Sequence, residues 1–97
     1  MAFFILMQYH TYILYSSTAD KFYIDFTGDE LSERLRKHNT NHAGFTGKFN
    51  DWQVMHHEIF DTKKAAMMRE KEIKCWKSKI KIISLINSSA GFVHSDL

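Results

Sequence analysis

One segment, residues 21–38, constrains the fold most, because it joins a short strand to a helix through a tight turn. Its first six residues include Phe, Tyr and Ile, a composition typical of a pleated strand. Thr27 interrupts this run, and Glu30 follows three residues later, which is the capping-box pattern that begins a helix. Leu31 and Leu35 are one turn apart and would face inward. The helix must therefore pack back against the sheet that contains its own preceding strand.

Two polar residues flank the inward face of this helix. Arg34 and His38 are four residues apart and therefore share one side of the helix. The preceding strand contributes Tyr23. An arginine and a histidine at a buried edge, directed toward a strand that carries a tyrosine, predict a phosphate site.

The other elements extend this unit into a small mixed domain. A polar turn at 16–20 separates the first two strands, so they should form an antiparallel hairpin that brings Tyr12 near Tyr23. We predict an α+β fold with a three-stranded antiparallel sheet flanked by about three helices. The predicted strands are 9–15, 21–26 and 52–60. The first predicted helix is 28–39. The second begins at Asp61 and ends near 77, and the third begins at Ser78 and ends near 87.

Length and composition predict one domain over residues 1–97, with a core at 8–86, an N-terminal extension at 1–7 and a tail at 88–97. Met7 is an alternative natural start to Met1. No stretch approaches the roughly 20 apolar residues of a membrane span. Cys75 is the single cysteine, so no internal disulfide can form, and we expect a cytoplasmic protein with no membrane partner.

The second predicted helix places a carboxylate on its inward face. Ala66, Ile73 and Trp76 form that face, and Glu70 lies between Ala66 and Ile73. A buried carboxylate is costly unless it is paired or bound to a metal. From the sequence, Glu70 could either form a structural ion pair with a buried arginine or have a functional role.

Basic residues are concentrated in residues 63–81, which contain eight Lys or Arg and two Glu, a net charge of +6. Such a surface attracts a phosphate backbone without reading its sequence. The alternative is a solvated helix face, which is the more common meaning of a lysine-rich helix.

Four motifs, in this order and spacing, resemble the GIY-YIG nuclease family. The resemblance is to its small stand-alone members, which are related to the N-terminal nuclease domain of an excinuclease, and it covers roughly residues 8–86. The matching residues are His10-Thr11-Tyr12, Tyr23-Ile24-Asp25, the pair Arg34 and His38, and the run from Arg69 to Trp76 that contains Glu70.

The resemblance implies metal-dependent cleavage of a DNA phosphodiester, in a setting such as DNA repair. Glu70 would hold one Mg²⁺ or Mn²⁺ ion, and Tyr12 would act as general base on the attacking water or take part through it. Tyr23 would orient water or phosphate, Arg34 would offset transition-state charge, and His38 would contact phosphate or assist proton transfer. We expect these five side chains to converge on one concave surface, with Glu70 only partly buried.

The same resemblance implies a DNA partner, double-stranded or branched. Lys71, Lys74 and Lys77 of the basic stretch would contact its phosphates. The oligomeric state does not follow from the sequence.

One departure from the family pattern concerns Asp25, which stands where the second motif has glycine. Its carboxylate could repel a phosphate substrate, could add a second metal ligand, or could face the far side of the sheet without effect. The alternative function is therefore a nucleic-acid-binding module of the same fold with impaired chemistry.

Overall fold

The computed structural model describes residues 7–40 and 42–95, with side chains described as far as residue 88. Most of the predicted N-terminal extension lies outside the described residues. The described elements are β1 (Tyr9–Ser16), β2 (Lys21–Thr27), α1 (Leu31–His38), a 3₁₀ helix (Phe45–Lys48), β3 (Trp52–Phe60), α2 (Lys63–Trp76) and α3 (Lys79–Ser95). They confirm the predicted α+β class.

The sheet is antiparallel throughout, with strand order β2-β1-β3. The central strand β1 contributes the most completely buried residues of the sheet. Tyr12 pairs with Asp25 on β2 and with His57 on β3, so all three side chains project from the same face. The register between β1 and β3 shifts by one residue between Ile13 and Leu14.

The two faces of the sheet bury different clusters, because successive strand residues point in opposite directions. Helices α2 and α3 cover one face, where the cluster contains Ile13, Ile24, Ile73 and Ile82. Helix α1 covers the other face, whose cluster contains Tyr12, Leu14 and Trp52 with Leu31 and Leu35 packed against it. We call the second face the α1 face.

A buried hydrogen bond connects α2 to the central strand. The Thr11 hydroxyl donates to the backbone carbonyl of Ala66 at 2.7 Å. The predicted inward face of α2 is confirmed, because Ala66, Glu70 and Ile73 are all buried. Glu70 is therefore held against the sheet by its neighbours on both sides.

Two predicted helix starts are wrong. Thr27 is the last residue of β2, and its hydroxyl accepts a hydrogen bond from the Asp29 amide at 3.0 Å. No capping box forms, and α1 begins three residues after the predicted start. Thr62 precedes α2 and accepts from the Ala65 amide at 3.1 Å, in the capping position that the sequence predicts for Asp61. A hydroxyl one residue closer to the helix takes the cap.

The last helix is longer than predicted. The Ser78 hydroxyl accepts from the Lys81 amide at 3.2 Å, as expected for a residue that precedes a helix. The helix then continues to Ser95, so the predicted tail is wrong for residues 88–95, and residues 96–97 lie outside the described part. No helix in the described residues is long and apolar enough to cross a membrane.

One half-buried carboxylate stabilises the turn between β1 and β2. Asp51, just before β3, accepts hydrogen bonds from the hydroxyls of Ser16, Ser17 and Thr18 and from the Thr18 amide, at 2.5–3.0 Å. These bonds, above all the one from Ser16, hold the pKa of Asp51 well below its ordinary value. The turn and the start of β3 are thereby fixed to each other.

We predict that Asp51→Ala lowers the urea midpoint of unfolding at pH 7, because four hydrogen bonds are lost. A depressed carboxyl pKa stabilises the fold above the unfolded value of about 3.9, and this contribution fades as the pH falls further. The midpoint difference from wild type should therefore shrink below about pH 4. Asp29→Ala is the control, since Asp29 pairs with Lys37 only at the surface. A difference that grows on acidification would contradict the assignment.

Candidate active site

The phenolic oxygen of Tyr12 is the centre of the candidate site, and the tyrosine is 0% exposed. His38 Nε2 lies 2.8 Å from this oxygen, and Arg34 donates to it through Nε at 3.3 Å. Arg34 and His38 are one turn apart on α1, as the sequence predicted, and the helix presents both to β1. Three of the five predicted site residues therefore meet at one atom.

Asp25 lies on the same face as Tyr12, directly opposite it on β2. Its carboxylate accepts from Arg34 Nη2 and from the Tyr23 hydroxyl, both at 3.4 Å. The possibility that Asp25 faces the far side of the sheet is thus wrong. Tyr23 reaches the site because it is two residues before Asp25 on the same strand face.

Two residues that the sequence analysis did not identify extend the site beyond His38. Thr46 is 2% exposed, and its hydroxyl lies 2.8 Å from His38 Nδ1 and 3.0 Å from His42 Nε2. The sequence signal that could have found them is Gly47. A side chain there would meet the backbone of His42 at 2.2 Å, so glycine permits the segment that carries His42 to fold over the 3₁₀ helix.

A cavity of about 380 Å³ opens beside these residues. Its wall on α1 is basic, with Arg34, Arg36 and Lys37. Its other lining residues include Tyr23, His38 and Phe45. A concave surface of this charge and composition suits a phosphate attached to a flat apolar group.

Burial sets the protonation states of the two central residues. It raises the pKa of Tyr12 well above its ordinary value, the hydrogen bond from Arg34 opposes this rise, and the charge of Asp25 adds to it. Burial, together with the positive charge of Arg34, lowers the pKa of His38 to about 4. Both side chains are neutral at pH 7.

Glu70 lies apart from the other four residues, against the expectation that all five side chains converge on one concave surface. It is 7% exposed, so the expectation of partial burial is wrong, and its helix packs on the face opposite the α1 face. Its carboxylate accepts from Lys74 Nζ at 2.5 Å. The structure therefore pairs Glu70 with a lysine one turn away rather than with a buried arginine.

Lys74 links Glu70 to the rest of the site. Burial opposes its charge, but Glu70, Asp25 and Tyr23 together raise the pKa of Lys74. Its ammonium group is therefore within electrostatic reach of residues on both faces, at the β2 edge of the sheet. Lys71, Lys74 and Lys77 are all exposed, but of the three only Lys74 forms an ion pair among the described residues.

The donor set for a metal is small. No group of three or more His, Cys, Asp or Glu side chains in the described part of the chain could hold an ion. Glu70 offers one buried carboxylate, with a cation already against it. One carboxylate could hold a divalent ion only with water and substrate oxygens as its other ligands.

Comparisons with known proteins agree with this arrangement of strands and helices. Residues 8–83 match the family model of the GIY-YIG catalytic domain. A UPF0213 protein of Haloquadratum walsbyi is 34% identical over 70 residues, which are 71% of this chain and 78% of that protein. No solved structure matches the chain significantly. The matched range includes Tyr12, Tyr23, Arg34, His38 and Glu70.

We predict that His38 titrates near pH 4 in the folded protein, as measured by NMR of its imidazole. Asp25→Asn should lower this pKa further, because the carboxylate of Asp25 favours the imidazolium. The unfolded state takes up the proton near pH 6.5, so stability should fall as the pH decreases from about 6.5 to about 4. His38→Gln should flatten that slope. An ordinary His38 pKa in the folded protein would contradict the buried geometry.

Proposed function

Because this chain belongs to the GIY-YIG catalytic domain family, we propose that it is a divalent-metal-dependent endonuclease that hydrolyses DNA phosphodiester bonds. Membership of this family implies nuclease-type function on nucleic acid. The observation that carries the finer proposal is the Tyr12 oxygen, held between His38 and Arg34 beside a basic cavity. We place the protein in the cytoplasm, in DNA repair.

The α1 wall of the cavity holds the scissile phosphate. Arg34, like His38, both contacts Tyr12 and lines the cavity. Its fork of donors can therefore offset the charge that develops on the phosphate in the transition state while its Nε fixes the tyrosine. Tyr23, at the same cavity, orients water or phosphate through its hydroxyl.

Tyr12 receives the proton of the attacking water. Its hydroxyl is neutral at pH 7, so only a small fraction is ready to act as a base, and the charge of Asp25 reduces that fraction. Arg34 works in the opposite direction, because its hydrogen bond favours the phenolate. The balance between Asp25 and Arg34 therefore governs how readily the base forms.

Glu70 would hold the divalent cation, Mg²⁺ or Mn²⁺. The bound ion would supply positive charge to the scissile phosphate and to the leaving oxygen. The ammonium of Lys74 contacts Glu70 and would have to give way to the ion, since both positive charges need the same carboxylate. Asp25, whose charge also raises the pKa of Lys74, is a candidate for a second carboxylate ligand.

The DNA partner, double-stranded or branched, lies along the basic stretch as well as in the cavity. Of the three lysines predicted to contact phosphate, Lys74 is paired with Glu70, so Lys71 and Lys77 are the better candidates. Their contribution would act through counterion release, so affinity should fall steeply with salt.

A second candidate function is a nucleic-acid-binding module with impaired chemistry. Asp25 favours it, since this carboxylate faces the site and accepts from Arg34 and Tyr23, two groups that would otherwise contact phosphate. Salt-dependent DNA binding without any metal-dependent nicking would identify this alternative.

We predict that the protein nicks supercoiled plasmid in Mg²⁺ or Mn²⁺ and that EDTA abolishes the activity. Glu70→Gln should reduce nicking at least about a hundredfold, because the metal loses its carboxylate while the volume of the side chain is kept. Glu72→Gln is the matched control, since Glu72 is exposed on the same helix and pairs with Arg69. Equal activity in wild type and Glu70→Gln would remove Glu70 from the mechanism.

We also predict that Asp25→Gly raises metal-dependent nicking at least about tenfold, or ~1.4 kcal/mol of transition-state stabilisation. The substitution removes bulk and negative charge from the phosphate side, and it lowers the pKa of Tyr12. Asp25→Asn removes the charge alone, so a comparison of initial rates separates the two effects. The alkaline rise in rate should move to lower pH in both variants.

Glu70→Ala in the Asp25→Gly background should abolish the gain. A wild type that is already active and loses activity in Asp25→Gly would instead indicate that Asp25 is a metal ligand. No nicking by any variant would favour the binding module.

A further inference from the structure

The hydrogen bonds around His38 have a direction that one backbone amide determines. The Gly44 N–H can only donate, and it donates to His42 Nδ1 at 3.0 Å. That nitrogen must therefore carry no hydrogen. A neutral His42 then holds its hydrogen on Nε2, which is 3.0 Å from the Thr46 hydroxyl oxygen. Thr46 accepts this bond.

The hydroxyl hydrogen of Thr46 must then go to a second partner. Thr46 is almost fully buried, so a hydroxyl hydrogen without an acceptor would be costly. His38 Nδ1, at 2.8 Å, is the remaining hydrogen-bond partner of this hydroxyl among the described residues. His38 Nδ1 therefore accepts, and the hydrogen of the neutral imidazole is on Nε2.

We infer that Thr46 and His42 are positioning residues that hold His38 in its Nε2–H tautomer, so that His38 donates to the Tyr12 oxygen instead of accepting from it. This oxygen then accepts from His38 Nε2 and from Arg34 Nε. Two donors directed at one phenolic oxygen favour its ionised form. The hydroxyl's own hydrogen is then left for the carboxylate of Asp25, which lies opposite Tyr12 on β2. The catalytic meaning of this arrangement rests on the proposed function, but the tautomer does not.

The opposite arrangement explains less of the geometry. If Tyr12 donated to His38 Nε2, His38 Nδ1 would carry the hydrogen and would donate to Thr46. Thr46 would then accept from both histidines, and its own hydrogen would have no acceptor among the described residues. The Tyr12 hydroxyl, in contrast, is within electrostatic reach of the carboxylate of Asp25, directly opposite it on β2, so its hydrogen has a negative group to point toward.

The test is a long-range ¹H–¹⁵N NMR correlation of the histidine rings at neutral pH, which distinguishes a protonated ring nitrogen from an unprotonated one. In wild type, we expect His38 to show a protonated Nε2 and an unprotonated Nδ1. Thr46→Val keeps the volume and removes the hydroxyl, so it should lose this preference, whereas Thr46→Ser should keep it. Thr40→Val is the control for the same chemical change, because the Thr40 hydroxyl bonds the Arg36 carbonyl outside this chain of contacts.

Nicking kinetics give the second measurement. Thr46→Val should lower kcat about tenfold with little change in KM, and Thr46→Ser should restore most of the rate. A protonated Nδ1 on His38 in wild type, or an unchanged tautomer in Thr46→Val, would overturn the inference. Should Thr46→Val fail to fold, the wild-type spectrum decides alone. Absence of nicking in wild type would count against the proposed function and leave the tautomer result to be judged by itself.

Discussion

The phenolic oxygen of Tyr12 is buried in the middle of the central strand, and this polar atom must find its partners inside the protein. Helix α1 supplies both of them, which fixes the rotation of the helix about its axis and its distance from the sheet. Leu31 and Leu35 pack beside the same tyrosine, so the apolar and polar contacts of α1 require one and the same placement. The site is thus a consequence of the packing on this face of the sheet.

A second constraint follows from the first, because the imidazole of His38 has two nitrogens and only one faces Tyr12. The other needs a partner from outside the helix, and the 3₁₀ helix provides it through Thr46. Trp52 donates from its indole nitrogen to the Thr46 carbonyl at 2.9 Å, which anchors this segment to the start of β3. A loop that is irregular in its backbone is therefore well determined where it meets the site.

The charges at the β2 edge form one connected set. Asp25 interacts with Arg34 on the α1 face, and Lys74 responds to Asp25 while it binds Glu70 from the opposite face. Each acidic group is matched by a basic one, which lowers the cost of placing four charges at a partly buried edge. The same matching makes Asp25 influential, since a change in its charge affects the arginine, the lysine and Tyr12 together.

Much of this was determined by the sequence alone. Alternation in the strands and the 3.6-residue period in the helices placed Tyr12, Tyr23, Arg34 and His38 on neighbouring surfaces and put Glu70 on the inward face of α2. These are local regularities, set by the geometry of each element. The helix starts were less well determined: Thr62 caps α2 in place of the adjacent Asp61, and Thr27 accepts from Asp29 instead of forming a capping box.

The tertiary structure decided which groups touch. The face that Asp25 occupies depends on its register with Tyr12. The partner of Glu70 depends on how α2 lies over the sheet. The bonds among His38, Thr46 and His42 depend on a loop that crosses back over itself at Gly47. The last contact joins residues with no periodic relation in the chain. Only the folded structure could bring them together, because the close approach of two backbones, unlike an amphipathic face, leaves almost no pattern in the sequence beyond a single glycine.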